Sequence, residues 1–156
     1  MNEYYYQINN FVFFIKANEQ KLITLRIMPV MPSIFYINPP NNKIIQYTIQ
    51  YLDDFFKQKF YPFKLDYLDI DINTLRGRIY LYLLNSSPGT KITYKTLATL
   101  NHSRAYRYIG NLMAKNPYVL IIPCHRVVSV NEKAINYQYG PQVKLHFQNI
   151  EKILDI

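Results

Sequence analysis

Asn116-Pro117-Tyr118-Val119-Leu120-Ile121-Ile122-Pro123-Cys124-His125-Arg126-Val127-Val128 decides how the chain is read. Cys124 is the only cysteine in 156 residues, and a histidine stands directly beside it. A free thiol with a pKa of ~8.5 is mostly protonated at neutral pH, so a nucleophilic cysteine needs a neighbouring base or a positive field. His125 and Arg126 are each able to supply one. Tyr118–Ile122 is an apolar run of buried-strand length, and Pro123 ends it by removing a backbone donor. The expectation is a strand that leaves the core with Cys124 at its exit. A buried structural cysteine is the competing reading, because free Cys is among the most buried residue types.

Working outward, composition sets the bounds. With 49% hydrophobic and 16% aromatic residues the chain has the material for a real core, in one domain or two small ones. One cysteine excludes an internal disulfide, and one cysteine with three histidines forms no cluster at metal-ligand spacing, so neither a metal nor a cofactor is expected. The start, Met1-Asn-Glu-Tyr-Tyr-Tyr, lacks the basic and apolar regions of a leader, and no run approaches the ~18 apolar residues of a membrane span. A soluble, cytoplasmic protein is expected, with no membrane partner.

Charge divides the chain. Residues 1–73 hold seven Lys/Arg and seven Asp/Glu, whereas residues 74–156 hold eleven and three, and Thr74 to Asn131 contains no acidic residue. A neutral half joined to a basic half suggests two units, the second of which meets a polyanion.

In the first half, Tyr4–Ile8, Phe11–Ala17 and Leu22–Met28 are aromatic and β-branched runs separated by short polar breaks, which reads as a three-stranded antiparallel meander. Pro29 to Asn42 carries four prolines and reads as a loop. Ile45, Ile49, Leu52 and Phe56 recur at helical spacing and predict a helix over Lys43 to Phe56. Lys57 to Asp71 reads as the connection. The second half opens with Thr74 capping a helix whose stripe is Leu75, Ile79, Tyr82 and Leu83, ending at Ser86-Ser-Pro-Gly89. Thr93 caps a short helix, Tyr94 to Leu100. Asn101-His102 makes a turn, and Ser103 caps a helix from Arg104 to Lys115. There Ala105, Ile109, Leu112 and Met113 face the core, while Arg104, Arg107, Asn111 and Lys115 form a basic polar face. Two helices so joined form a helix-turn-helix pattern, and with the acid-free stretch they point to nucleic acid. Val127 to Val130 continues apolar, Asn131 to Ala134 reads as a turn, and Pro141 begins a last helix with the stripe Val143, Phe147, Ile150 and Leu154. Glu151 lies on the edge of that stripe, where an imidazole would suit it as a partner. A solvated glutamate is the alternative.

Asn116-Pro117, the apolar run and Pro123-Cys-His-Arg-Val127 together resemble the active-site signature of the O6-alkylguanine-DNA alkyltransferases, also called methylated-DNA-protein-cysteine methyltransferases. Thr93-Tyr94, Arg107-Tyr-Ile-Gly110 (where the family has Arg-Ala-Val-Gly), Tyr137 and Glu151 extend the resemblance over roughly Leu75 to Leu154. The first 70 residues match in layout only.

The resemblance implies an α/β fold: an antiparallel sheet plus helix over residues 1–70, and a mostly helical, winged-helix-like DNA-binding and catalytic domain over 71–156. It implies that Cys124 takes an alkyl group from O6 of guanine, or O4 of thymine, once and irreversibly. His125 would act through a water as the base, Glu151 would orient it, Tyr94 would hydrogen-bond the departing guanine at N3, and Asn116 would brace the cysteine segment. Arg107 would replace the flipped nucleotide in the stack. DNA contacts fall on Thr93, Tyr94, Arg104, Arg107, Gly110, Asn111, Lys115 and Arg126, and the pocket on Val119, Val127, Ile135, Tyr137 and Gln138. The implied partner is double-stranded DNA containing O6-alkylguanine, met by a monomer. Ile135 and Gln138 stand where the family usually has Gly and Ser, so a bulkier pocket wall is expected, and Asn111-Leu112 replaces small residues after the helix glycine. A non-catalytic alkylated-DNA binder and a sequence-specific regulator are the alternatives. The first lacks the nucleophilic cysteine, and the second leaves the Cys-His pair unexplained.

Overall fold

A computed structural model of the chain describes residues 1–29, 39–100, 106–129 and 137–152. Expectations for Asn101-His102, Ser103, Arg104, Ala105, Asn131 to Ala134, Ile135, Leu154 and most of the Pro29–Asn42 loop lie outside them. Two compact units form, Met1–Asp69 with Pro117–Val119, and Ile70–Asn116 with Leu120–Ile156.

In the first unit β1 (Asn2–Ile8), β2 (Phe11–Ala17) and β3 (Leu22–Met28) pair in sequence order as an antiparallel meander, the arrangement their patterning predicts. The two-residue connection Asn9-Asn10, with Asn9 at φ 53, sets the register Ile8↔Phe11, since asparagine tolerates the positive φ that tight hairpins need. α1 spans Lys43–Phe56, and the Asn42 side chain caps it by accepting from the Ile44 and Ile45 amides at 2.9 and 3.0 Å. Its buried face is Ile44, Ile45, Thr48, Tyr51, Leu52 and Phe55, so Ile49 and Phe56 sit at the margin of the expected stripe. Pro117–Val119 joins this unit rather than the second. The Leu25 amide donates to the Pro117 carbonyl (2.8 Å), and the Val119 amide donates to the Leu25 carbonyl (3.1 Å). Val119 therefore lies with the first unit, not with the second-unit groove described below.

In the second unit α2 spans Leu75–Leu84, capped by the Thr74 hydroxyl, which accepts from the Gly77 amide at 3.0 Å. Gly77 is required there: a Cβ would lie 1.8 Å from the Asp71 carbonyl oxygen. The buried face of α2 includes Tyr80, not the expected Tyr82, because the Tyr80 hydroxyl donates to the Leu112 carbonyl at 2.9 Å. α3 spans Tyr94–Leu100, and α4, described over Tyr106–Ala114, packs against it with Ile109, Leu112 and Met113 buried. β4 (Ile92–Thr93) and β5 (Val127–Val128) form a short parallel pair. α5 runs Pro141–Lys152. Among the described residues no helix is long and apolar enough to cross a membrane.

Candidate active site

The segment before Cys124 is not the expected strand. Tyr118 makes one bridge to Leu25, after which the chain turns, with Leu120 at φ 67. A buried segment without a ladder must satisfy its backbone otherwise. Here Asn116 Nδ2 donates to the Ile122 carbonyl at 2.8 Å, and Pro123 (φ −78, ψ 68) closes an inverse γ-turn in which the Cys124 amide donates back to Ile122 at 2.7 Å. Cys124–Arg126 follows as a single 3-10 turn, which sets three consecutive side chains into the second unit.

Cys124 is 2% exposed, and Asn116 Nδ2 lies 3.3 Å from its sulfur. Burial pushes the thiol above its ordinary value, while Asn116, the Lys144 cation and Tyr137 pull the other way. The resting group is therefore a thiol that must lose its proton as it reacts. The Tyr137 hydroxyl couples to that thiol, and burial followed by the thiol's negative charge raises it well above 10.0. Its interaction is with the Cys124 sulfur, and it makes no other hydrogen bond among the described residues. Tyr94 is raised for the same two reasons.

Beside the thiol stands a base with a fixed orienter. His125 Nε2 lies 2.7 Å from Glu151 Oε1, and both side chains are fully buried. Burial holds the imidazole below its ordinary 6.5 despite the carboxylate, so it is neutral and able to accept a proton at neutral pH. With the Nε2 proton donated to Glu151, Nδ1 is the basic nitrogen. Burial alone would raise the Glu151 pKa, but His125 and Arg126 hold it at about 2. Because His125 is neutral, the permanent charge that keeps Glu151 ionised is the guanidinium of Arg126. Arg126 Nε donates to both carboxylate oxygens at 3.1 Å and Nη2 to Oε1 at 2.8 Å. Its Nη1 is held by the Ser86 carbonyl (2.7 Å) and hydroxyl (2.8 Å), and the Gly89 amide donates to Glu151 Oε2 at 3.0 Å. Arg126, expected on the DNA face, is thus 7% exposed and occupied within the site.

α5 supplies more than Glu151. Its buried face is Lys144, Phe147, Gln148 and Glu151, whereas the expected stripe members Val143 and Ile150 are only half-buried. Lys144, 1% exposed, donates to the Val127 carbonyl at 2.5 Å and lies 6.0 Å from the Tyr137 ring centre. Gln148 Nε2 donates to the His125 carbonyl at 2.9 Å and so fixes the 3-10 turn from behind. Sequence reasoning missed Lys144, Gln148, Ser86 and Gly89. The available signal was the polar series Lys144, Gln148, Glu151 at i, i+4 and i+7, one face of a helix.

A groove of about 710 Å³ brings together Tyr94, Arg107, Gly110, Asn111, Tyr137 and Gln138 of the expected residues, with Tyr106 and Ala114. A Cβ on Gly110 would meet nothing within 4 Å, so the chain's own packing does not require that glycine. The Thr93 hydroxyl accepts from the Thr96 amide at 3.0 Å and caps α3. Lys115 is exposed but does not line the groove, and Val127 is core, paired with Ile92. Arg104 and Ile135 lie outside the described residues.

Residues 74–153 match the family described as 6-O-methylguanine DNA methyltransferase, DNA binding domain. A protein of Acanthamoeba polyphaga mimivirus named "Probable methylated-DNA--protein-cysteine methyltransferase" is 30% identical over 122 residues, 77% of this chain and 80% of that one. The methylated-DNA--protein-cysteine methyltransferase of Metallosphaera sedula is 34% identical over 104 residues, 64% of this chain and 63% of the relative. In fold the chain is similar to Mycobacterium tuberculosis OGT in complex with DNA, with a TM-score of 0.80 and 21% identity over 97% of this chain and 93% of that one.

Proposed function

The chain belongs to the O6-methylguanine-DNA methyltransferase family, and from that premise we propose that it repairs DNA by moving an alkyl group from O6 of guanine to Cys124. The sulfur attacks the alkyl carbon, the S–C bond forms as the C–O6 bond breaks, and the thiol proton passes to His125. A water between thiol and imidazole would carry that proton, since such a step crosses one water readily. Glu151, kept ionised by Arg126, stabilises the imidazolium. Electrons released to the base are met by a proton or hydrogen bond from Tyr94, and the Tyr137 hydroxyl is a second donor in the groove. The thioether does not return to a thiol, so each molecule acts once.

The observation that carries this reading is the buried Cys124 beside a base that is itself oriented by an ionised carboxylate, the arrangement an activated nucleophile needs. The finer parts belong to the same proposal. α3 and α4 act as a helix-turn-helix, the damaged base rotates out of the duplex into the groove, and Arg107 occupies the space it leaves, since O6 is unreachable inside the stack. The protein acts as a monomer in the cytoplasm, on double-stranded DNA. The former DNA-contact role of Arg126 passes to positioning Glu151. Intact mass of the protein after incubation with a duplex containing O6-methylguanine tests the reading. One methyl is gained by the wild type and none by Cys124→Ser; no gain by the wild type refutes it.

A further inference from the structure

Tyr106 is the most exposed aromatic side chain among the described residues, at 47%. Helical spacing makes that exposure unexpected. Positions 106, 109 and 113 share one face of α4, and Ile109 and Met113 on that face are buried. Tyr106 lines the groove with Tyr94, Arg107 and Tyr137. Among the described residues it makes no ring contact, hydrogen bond or ion pair, although aromatic rings elsewhere in the chain are commonly packed in pairs. Arg107, exposed next to it, has no carboxylate partner among the described residues.

An exposed aromatic ring beside an exposed guanidinium, neither with a partner among the described residues, has the chemistry of a nucleotide platform. The cation attracts the phosphate chain, and the ring takes a base. A base within a duplex has both faces covered by its neighbours and offers none to the ring. Resting on the transfer activity proposed above, we propose that Tyr106 is a stacking site for an unpaired nucleobase next to the one delivered to Cys124. Tyr108, 39% exposed on the same helix, does not line the groove and takes no part.

The test is fluorescence anisotropy of the full chain with one unmodified labelled oligonucleotide, as a single strand and as a duplex. Tyr106→Ala is expected to weaken single-strand binding by about 5- to 150-fold, the equivalent of one lost base stack, and to weaken duplex binding by less. Tyr106→Phe keeps the ring and is expected to bind the single strand within about twofold of the wild type, at low and high salt alike, because stacking carries no counterion term. Tyr108→Ala is the control, expected to bind as the wild type does. The proposal is overturned if Tyr106→Ala weakens both forms equally, as a sugar contact in the duplex would, if it weakens neither, or if Phe fails as Ala does. Circular dichroism of each variant separates these losses from unfolding. A wild type that gains a methyl from the duplex, with single-strand binding indifferent to Tyr106, sinks the stacking site alone. A wild type that neither binds DNA nor gains a methyl sinks the transfer reading with it.

Discussion

α1 and α5 are both amphipathic helices of ordinary length, yet they bury opposite kinds of face. α1 turns Ile44, Ile45, Leu52 and Phe55 inward, and its one buried hydroxyl, Thr48, is satisfied by the Ile44 carbonyl of its own helix at 2.8 Å. α5 turns Lys144, Gln148 and Glu151 inward around Phe147, and each polar group is satisfied by the turn that carries Cys124 and His125, or by its neighbours. Burying carbon stabilises a fold, whereas burying charge costs free energy unless every group is paired. The first helix buries what stabilises a fold, whereas the second carries a cost that the proposed transfer would account for.

The largest test of that contrast removes the carboxylate. Glu151→Ala leaves the buried Arg126 guanidinium and the Gly89 amide without their acceptor, so a loss of about 3–5 kcal/mol in denaturant unfolding is expected, along with loss of transfer. A loss below about 1 kcal/mol would mean the cluster is not as tightly held as its distances indicate. Leu52→Ala on α1 is expected to cost about 2–5 kcal/mol through cavity formation, while the folded fraction transfers at the normal rate. Here a rate loss beyond the unfolded fraction would break the division of labour between the two helices.

The two helices also mark where sequence reading succeeds. β2 and β3, both ends of α1, and the Thr74 and Thr93 caps were legible because they follow apolar period and local capping chemistry. α5 was located, but its inward face was misread: the apolar stripe is the wrong guide when a helix exists to present polar groups. The same cause hid the turn at Leu120. An unbroken apolar run gives no sign that its backbone is satisfied by the Asn116 side chain rather than by a neighbouring strand. Cys124 and His125 stood out as the one cysteine with a histidine beside it, and Glu151 as a helix-edge carboxylate suited to an imidazole, the contact the structure shows. Arg126 was placed with the DNA contacts, since sequence alone does not say which way a guanidinium turns.

Smaller effects sharpen the comparison further. Lys144→Met removes the donor to the Val127 carbonyl and a cation that favours the ionised thiol. A stability loss of about 1–3 kcal/mol is expected, with transfer slowed because the thiol loses a cation that favours its ionised form; single-turnover kinetics with an unchanged rate would remove Lys144 from the chemistry. The acid limb of stability should be gentler still at first. His125 is held neutral below 6.5 and Glu151 ionised down to about 2, so the unfolded chain binds protons that the folded site refuses. Stability is therefore full above 6.5, begins to fall below it through His125, and falls again between 4.5 and about 2 through Glu151. Thermal melts at stepped pH check this, and a plateau extending unchanged from neutral pH to 4.5 would show that His125 is not buried neutral.

The central claim is that the charge on α5 serves proton transfer from Cys124 rather than the fold. Glu151→Gln separates the two, since the amide keeps the shape and an acceptor oxygen for Arg126 but loses the charge that stabilises the imidazolium. Measured together on one preparation, the single-turnover methyl-transfer rate of its folded fraction is expected to fall by about 10²- to 10⁴-fold, while its melting temperature falls less than that of Glu151→Ala. A variant that transfers at the wild-type rate, or that loses rate only as far as it unfolds, would contradict the account.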